Sequence, residues 1–166
     1  MDGLGHFIPD REILAVKPII NQPVVMPYDD EPGMAILMCD LIIAIPGLFE
    51  IIVFRHLIYD SESSPFLSWA IWGHPWCASN APQAAAHDAL TRAHVTTRSE
   101  ADQIWRAIAY YNPAGTSLPE RTVKHTVIRA FGWNSWRRHG RAEQHEVRQY
   151  VHFHKLKQFK NIWNIK

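Results

Sequence analysis

The stretch Ala81–Leu90, APQAAAHDAL, constrains this chain more than any other. Asn80 is placed to cap a helix, and Pro82 fits the first turn, where a missing N–H is harmless. Alanines 81, 84, 85, 86, 89 and 93, together with Leu90, give that helix a small, smooth surface. Other backbone can approach such a surface closely, so the helix is expected to be buried on more than one side. His87 and Asp88 sit side by side within it. Buried polar groups need partners. The pair therefore belongs to a local hydrogen-bond network or does chemistry.

The rest of the chain supplies what covers the helix. At 166 residues and 47% hydrophobic, it is long enough for one domain with a real core. Residues 1–34 are punctuated by Pro9, Pro18, Pro23, Pro27 and Pro32. Between them, Ile13–Lys17 and Pro23–Met26 read as short edge strands or an extended arm, since proline cannot donate to a central ladder. Asp29–Gly33 is a turn signal. Ala35–Ile45 reads as a strand, and Gly47–Leu57 as a second strand or a buried helix; periodicity does not separate the two. This apolar run is interrupted by Asp40, Pro46, Glu50 and Arg55. Its uncharged piece around Pro46, Leu41–Phe49, is far short of the roughly 20 residues a bilayer requires, so no transmembrane span is expected.

Trp69, Trp72 and Trp76 share one helical face, which suits core packing. Thr97-x-x-Glu100 and Ser117-x-x-Glu120 are capping boxes. The first precedes a stripe of Ala101, Ile104, Trp105 and Ile108; the second precedes Val123, Val127, Ala130 and Phe131. The fold class that follows is α+β, a small N-terminal β region packed on three to four helices, with a basic C-terminal tail. The domain is expected to span residues 1–136, including the arm at 1–34, and the tail residues 137–166.

Formal net charge is only +1, which argues against a dedicated nucleic-acid binder, but the charge is unevenly spread. Residues 137–166 carry eight Lys/Arg against Glu143 and Glu146, a net +6, while residues 1–136 carry a net −5. In the tail, Leu156, Phe159 and Trp163 recur at helical spacing, so it reads as a basic amphipathic helix. Three partners suit it: nucleic acid, an anionic membrane surface, or an acidic protein surface, including a neighbouring copy. The modest patch and the absence of a nucleic-acid-binding motif favour protein docking through Leu156, Phe159 and Trp163. Cys39 and Cys77 allow one disulfide and no CxxC metal site. The opening MDGLGHFIPDRE lacks a basic region followed by an apolar core, so cytoplasmic synthesis is expected.

AAAHDAL, followed by RSEADQIWRAI and then AFGWNSW, resembles an uncharacterised phage and prophage protein family. That family shows a TDLASIP-like stretch, a helix carrying HD-x-L-Y, an R-x-E-A-D helix and often an aromatic close. The likeness covers roughly Cys39–Trp136, with CDLIIAIPGLF as the first stretch and Asp40, Ile45 and Pro46 as its counterparts. Cys39 stands in place of the threonine, Thr91 in place of the tyrosine, and Ile51–Gly73 is longer than usual. The resemblance implies a phage-encoded protein from regions that carry tail or lysis functions. It implies host cytoplasm on synthesis and then the virion tail, with other virion proteins or copies of itself as partners.

Asp40, His87, Asp88 and Asp102 form the candidate polar set. If the two helices make a hairpin, Asp102 can orient His87 and leave its other ring nitrogen free as a base. Asp88 and Asp40 would then hold a divalent cation such as calcium through oxygen ligands. This layout is similar to the HD helix of phospholipases A2, although the sequence has no glycine-rich calcium loop. The competing expectation is a structural network joining helix to helix and to the Asp40 strand, with no cofactor required. In that reading the chain is a tail-associated assembly protein; in the other it is a small metal-assisted hydrolase of the host envelope. No G-x-S-x-G is present to support serine chemistry. His152 and His154, flanking Phe153, become a candidate metal pair only if that segment is a strand.

Overall fold

β-Branched and leucine side chains between prolines and glycines build short antiparallel strands. In the computed structural model, which describes residues 17–28, 34–60, 80–115, 117–138 and 141–156, the first two are β1 (Ile19–Ile20) and β2 (Val25–Pro27). The apolar run follows as β3 (Met34–Leu37), β4 (Leu41–Ile45), β5 (Phe49–Val53) and β6 (Ile58–Asp60). Phe49, Ile51 and Val53 are fully buried while Glu50 and Ile52 are half-buried, a period of two that makes this segment a strand. A three-residue turn joins β4 to β5, with Gly47 at φ 74°, where a side chain would be strained.

The strands form two sheets. One has the order β1-β4-β5-β7, β7 being Val151–Lys155; the other has the order β2-β3-β6. The proline-flanked strands β1 and β2 are both edges, as the prolines require. Asn21 continues the pairing by side chain. Its Oδ1 accepts from Ile42 N at 2.6 Å and its Nδ2 donates to Asp40 O at 2.9 Å.

Four helices complete the described residues: α1 (Ala81–Ala93), α2 (Arg98–Tyr111), α3 (Leu118–Arg138) and α4 (Arg141–Arg148). The alanine helix α1 lies at the centre and packs against α2, α4, β5, β6 and β7. Every position in it is buried except His87 and Arg92. The smooth surface expected from the sequence is what admits neighbours on so many sides. At its start, Asn80 makes no side-chain cap; its Oδ1 instead accepts from Lys124 Nζ of α3 at 2.7 Å. At its end, His94 adopts φ 49° and Arg148 Nε donates to Ala93 O at 2.7 Å.

The capping box of α2 is present in both directions, and Ala101, Ile104, Trp105 and Ile108 are fully buried. Helix α3 differs from expectation. Val123 is 43% exposed, whereas Arg121 and Lys124 are 7% and 4% exposed. The polar face is the packed one because its partners are polar or aromatic. The Arg121 guanidinium lies 4.8 Å from the Tyr110 ring centroid, and Lys124 reaches both Asn80 and Glu120. Glu120 thus turns to Lys124, while Ser117 Oγ accepts from Glu120 N.

The α+β class is as expected from the sequence, but residues 141–156 are more than an appended tail. Val147 of α4 and Val151 of β7 belong to the core cluster, and β7 pairs with β5 from Phe49↔Lys155 to Val53↔Val151. An amphipathic helix beginning at Leu156 does not extend back through this strand. Leu156 N donates to Leu48 O at 2.9 Å. Phe159 and Trp163 lie outside the described residues, as do residues 13–16 and 29–33, the three tryptophans at 69, 72 and 76, and Cys77. Cys39 is a free thiol. Among the described residues, no helix is long and apolar enough to cross a membrane.

Candidate functional site

Neighbouring residues on an α-helix point about 100° apart, and this spacing separates His87 from Asp88. His87 faces α2, where its Nε2 lies 3.0 Å from Asp102 Oδ1. The His87 side chain is 18% exposed and that of Asp102 only 3%. The other carboxylate oxygen of Asp102 faces Arg98 Nε and Arg129 Nη1, each at 3.9 Å. Arg98 sits one turn before Asp102 and also donates to the carbonyls of Ile128 and Arg129 on α3. One buried carboxylate therefore joins α1, α2 and α3.

His125 of α3 borders the same cluster, with its Nε2 3.5 Å from Gln103 Nε2. Burial first, then the Arg106 charge and those of Arg129 and His87, push its pKa down to about 4 against the opposing pull of Asp102. The ring is thus neutral near pH 7. The resulting chemistry is an oriented imidazole backed by a buried carboxylate, the layout a general base uses. Its surroundings, however, are guanidinium groups and a second imidazole, with Asp102 already shared among several partners.

Asp88 faces another way. Its Oδ2 lies 3.2 Å from Nη1 of Arg92, one turn on, and Arg92 Nε donates to Glu143 Oε1 of α4 at 3.0 Å. Arg92 Nη1 also donates to Ile58 O at 2.5 Å. Burial opposes the charge on Arg92, but Asp88 and Glu143 outweigh it and raise its pKa. Behind them the Tyr59 hydroxyl is buried without a hydrogen-bond partner among the described residues. Burial and the Asp88 charge raise the Tyr59 pKa. Asp88, Arg92 and Glu143 line a cavity of about 380 Å3 between α1, α4 and the β5–β6 connection.

Asp40 belongs to neither group. Its Oδ1 accepts from Arg55 N at 2.9 Å and lies 3.4 Å from Arg55 Nε, tying the β3–β4 connection to the turn after β5. Of the expected trio His87, Asp102 and Asp40, the structure brings the first two together. Asp40 and Asp88, the expected calcium ligands, are each engaged by a different arginine, Arg55 and Arg92. Among the described residues no three His, Cys, Asp or Glu side chains converge on a metal position. His152 and His154 do lie on a strand, β7, opposite Ile52 and Glu50 of β5.

Sequence reasoning passed over Arg92, Arg98, Arg129, His125 and Glu143. Arg92 had a local signal, since Asp88 and Arg92 stand at i, i+4 on a helix. So did Arg98 with Asp102. Glu143 and Arg129 lie far along the chain from their partners, and no spacing rule reaches them. In comparison with known proteins, the chain matches no protein family, no curated protein and no solved structure.

Proposed function

We propose that this chain is a bacteriophage virion component, associated with the tail, in which His87 and Asp102 fasten helices together. The phage assignment draws on the resemblance of CDLIIAIPGLF, AAAHDAL, RSEADQIWRAI and AFGWNSW to a phage and prophage family. The choice of a structural role is carried by one observation: Asp102, 2% exposed, faces His87, Arg98 and Arg129 from three helices at once. A carboxylate so placed neutralises guanidinium charge at a helix junction. Partners in this reading are other virion proteins or copies of the chain, contacted in part through the basic residues near the C-terminus. Mass spectrometry of purified particles tests it. Peptides of this chain should co-purify with tail proteins at a fixed copy ratio; a chain abundant in infected cells but missing from particles would overturn the assignment.

A second reading has its own support in the 3.0 Å His87–Asp102 contact and the partial exposure of the imidazole. In that reading the chain hydrolyses a lipid or peptidoglycan bond of the host envelope, with His87 as base and Asp102 as its positioning partner. Asp40 and Asp88, the carboxylates this chemistry would use for calcium, each face an arginine, Arg55 and Arg92 respectively.

A further inference from the structure

Three of the chain's four methionines, Met26, Met34 and Met38, lie on one face of the β2-β3-β6 sheet. The register places Met26 beside Ile36 and Ile58, and Met38 N donates to Val24 O at 2.8 Å in the next row. The opposite face, with Ala35, Leu37 and Tyr59, is fully buried in the core. This one is open: Val24 is 59%, Met26 50% and Met38 41% exposed, with Met34, Ile36 and Ile58 half-buried. Single apolar residues on a surface need no explanation, but contiguous ones mark interaction sites. Unbranched methionine side chains adapt to a partner's shape, which makes them common on such surfaces.

Strand addition at the edge does not cover this sheet. Val24 O and Tyr28 N bond to β3, so Val25 and Pro27 turn their backbone to the open edge of β2. Pro27 has no N–H, and Pro23 flanks the strand at its start; prolines so placed keep another strand from pairing. A partner therefore lies across the face. The face extends over roughly a few hundred Å2, below the about 800 Å2 per partner of a stable symmetric dimer, and matches a short apolar segment. Charge narrows the choice. Asp60 stands opposite Met34 in the last row, and the link from β2 to β3 carries Asp29, Asp30 and Glu31. A segment with apolar anchors and positive charge complements both features. Residues 157–166, KQFKNIWNIK, carry Phe159, Ile162, Trp163 and Ile165 with three lysines and no acidic side chain.

That segment starts in the wrong place to serve its own copy. Leu156 is held at the β4–β5 turn by Leu48 O, whereas Met38 lies beyond the far end of β4. Phe159, three residues on, reaches about 10 Å from Leu156, less than the roughly 14 Å from Leu41 to Ile45 along β4. We propose that the methionine face receives residues 157–166 of a second copy, with Phe159 and Trp163 as anchors and the lysines toward Asp29, Asp30, Glu31 and Asp60. The contact is head-to-tail, so a pair of copies keeps one free face and one free segment, and the array extends or closes as a ring. This contact rests on the reading of the C-terminal residues as a docking segment, not on the virion assignment; purified chain alone tests it, so the two fail separately.

Sedimentation velocity on the full chain is the test. The mean mass of the parent should keep rising with concentration, without a plateau at the dimer, and should fall as salt screens the lysines. Met26→Lys puts a cation into the face, and Trp163→Ser removes an anchor; each alone should weaken association by at least about tenfold. An equimolar mixture of the two variants has one working face and one working segment, and should form a dimer and nothing larger. Met26 is exposed, so Met26→Lys should keep the parent's melting temperature. A labelled peptide of residues 157–166 gives a second measurement that does not depend on how Trp163→Ser folds. By fluorescence anisotropy it should bind the dilute parent saturably and Met26→Lys about tenfold more weakly. A parent that is monomeric at every concentration, a mixture that stays monomeric, or a peptide that binds both chains equally would each overturn the contact. Association lost in Met26→Lys but kept in Trp163→Ser would mean that the face pairs with itself or with another surface, and would overturn it too.

Discussion

His125 offers a quantitative check on the packing around Asp102. In the unfolded chain its imidazole titrates near 6.5; in the fold, burial and the Arg106 charge lower this to about 4. Between those values the unfolded state binds the proton and the folded state does not. The contribution of the neutral ring is therefore complete above pH 6.5 and is lost as the pH falls through 6.5 toward 4, with no further change below. Each pH unit is worth about 1.4 kcal/mol, so the full interval corresponds to about 3 kcal/mol. Partial exposure screens the neighbouring charges, which reduces the expectation to about 2 kcal/mol. The assay is urea unfolding from pH 7 to pH 4 on the parent chain and on His125→Gln. Acid losses from carboxylates such as Glu100, held below its usual range despite burial by Lys155 and Thr97, are common to both chains and subtract out. The parent should lose about 2 kcal/mol more than the variant over this range. Equal losses would refute the placement of a neutral imidazole among these arginines.

Two further outcomes follow from the central helix and the last strand. Ala89 is fully buried in α1, where neighbours approach closely; Ala89→Leu should overpack it by about 1–3 kcal/mol, and a calorimetric melting temperature equal to or above the parent's would contradict that packing. Truncation at Gly140 removes Val147, Val151 and the β5–β7 ladder from the core; the truncated chain should lack a cooperative unfolding transition by circular dichroism, and a retained transition would show that residues 141–156 are dispensable.

Local signals foretold much of this fold, and non-local ones did not. The alanines of α1, the Thr97–Glu100 box and the prolines around β1 and β2 each determine structure within a few residues, and each was legible. Phe49–Val53 pairs on one side with the neighbouring β4 and on the other with β7, about 100 residues later, and apolarity alone does not reveal that second partner. On helix α3 hydrophobicity does not mark the buried face: Val123 is exposed, and Arg121 and Lys124 are buried. A tyrosine ring, an asparagine and a glutamate inverted that rule by satisfying Arg121 and Lys124. The site divides in the same way. His87 with Asp102 was legible from two adjacent helices in a hairpin. That Asp88 belongs to a second group follows from the helical turn itself, whereas its partner Glu143 does not.

The most direct test of a structural role for His87 and Asp102 is one comparison of the parent with His87→Ala, measuring melting temperature and envelope hydrolysis together. Removing the imidazole takes one partner from a carboxylate that keeps Arg98 and Arg129 at 3.9 Å. The expected loss is about 1–3 kcal/mol, or a fall in melting temperature of about 2–4 °C per kcal/mol for a chain of this size. The structural account predicts that fall, with no hydrolysis of lipid or peptidoglycan by either protein. A His87→Ala chain as stable as the parent, lacking a divalent-dependent hydrolysis that the parent performs, would contradict it.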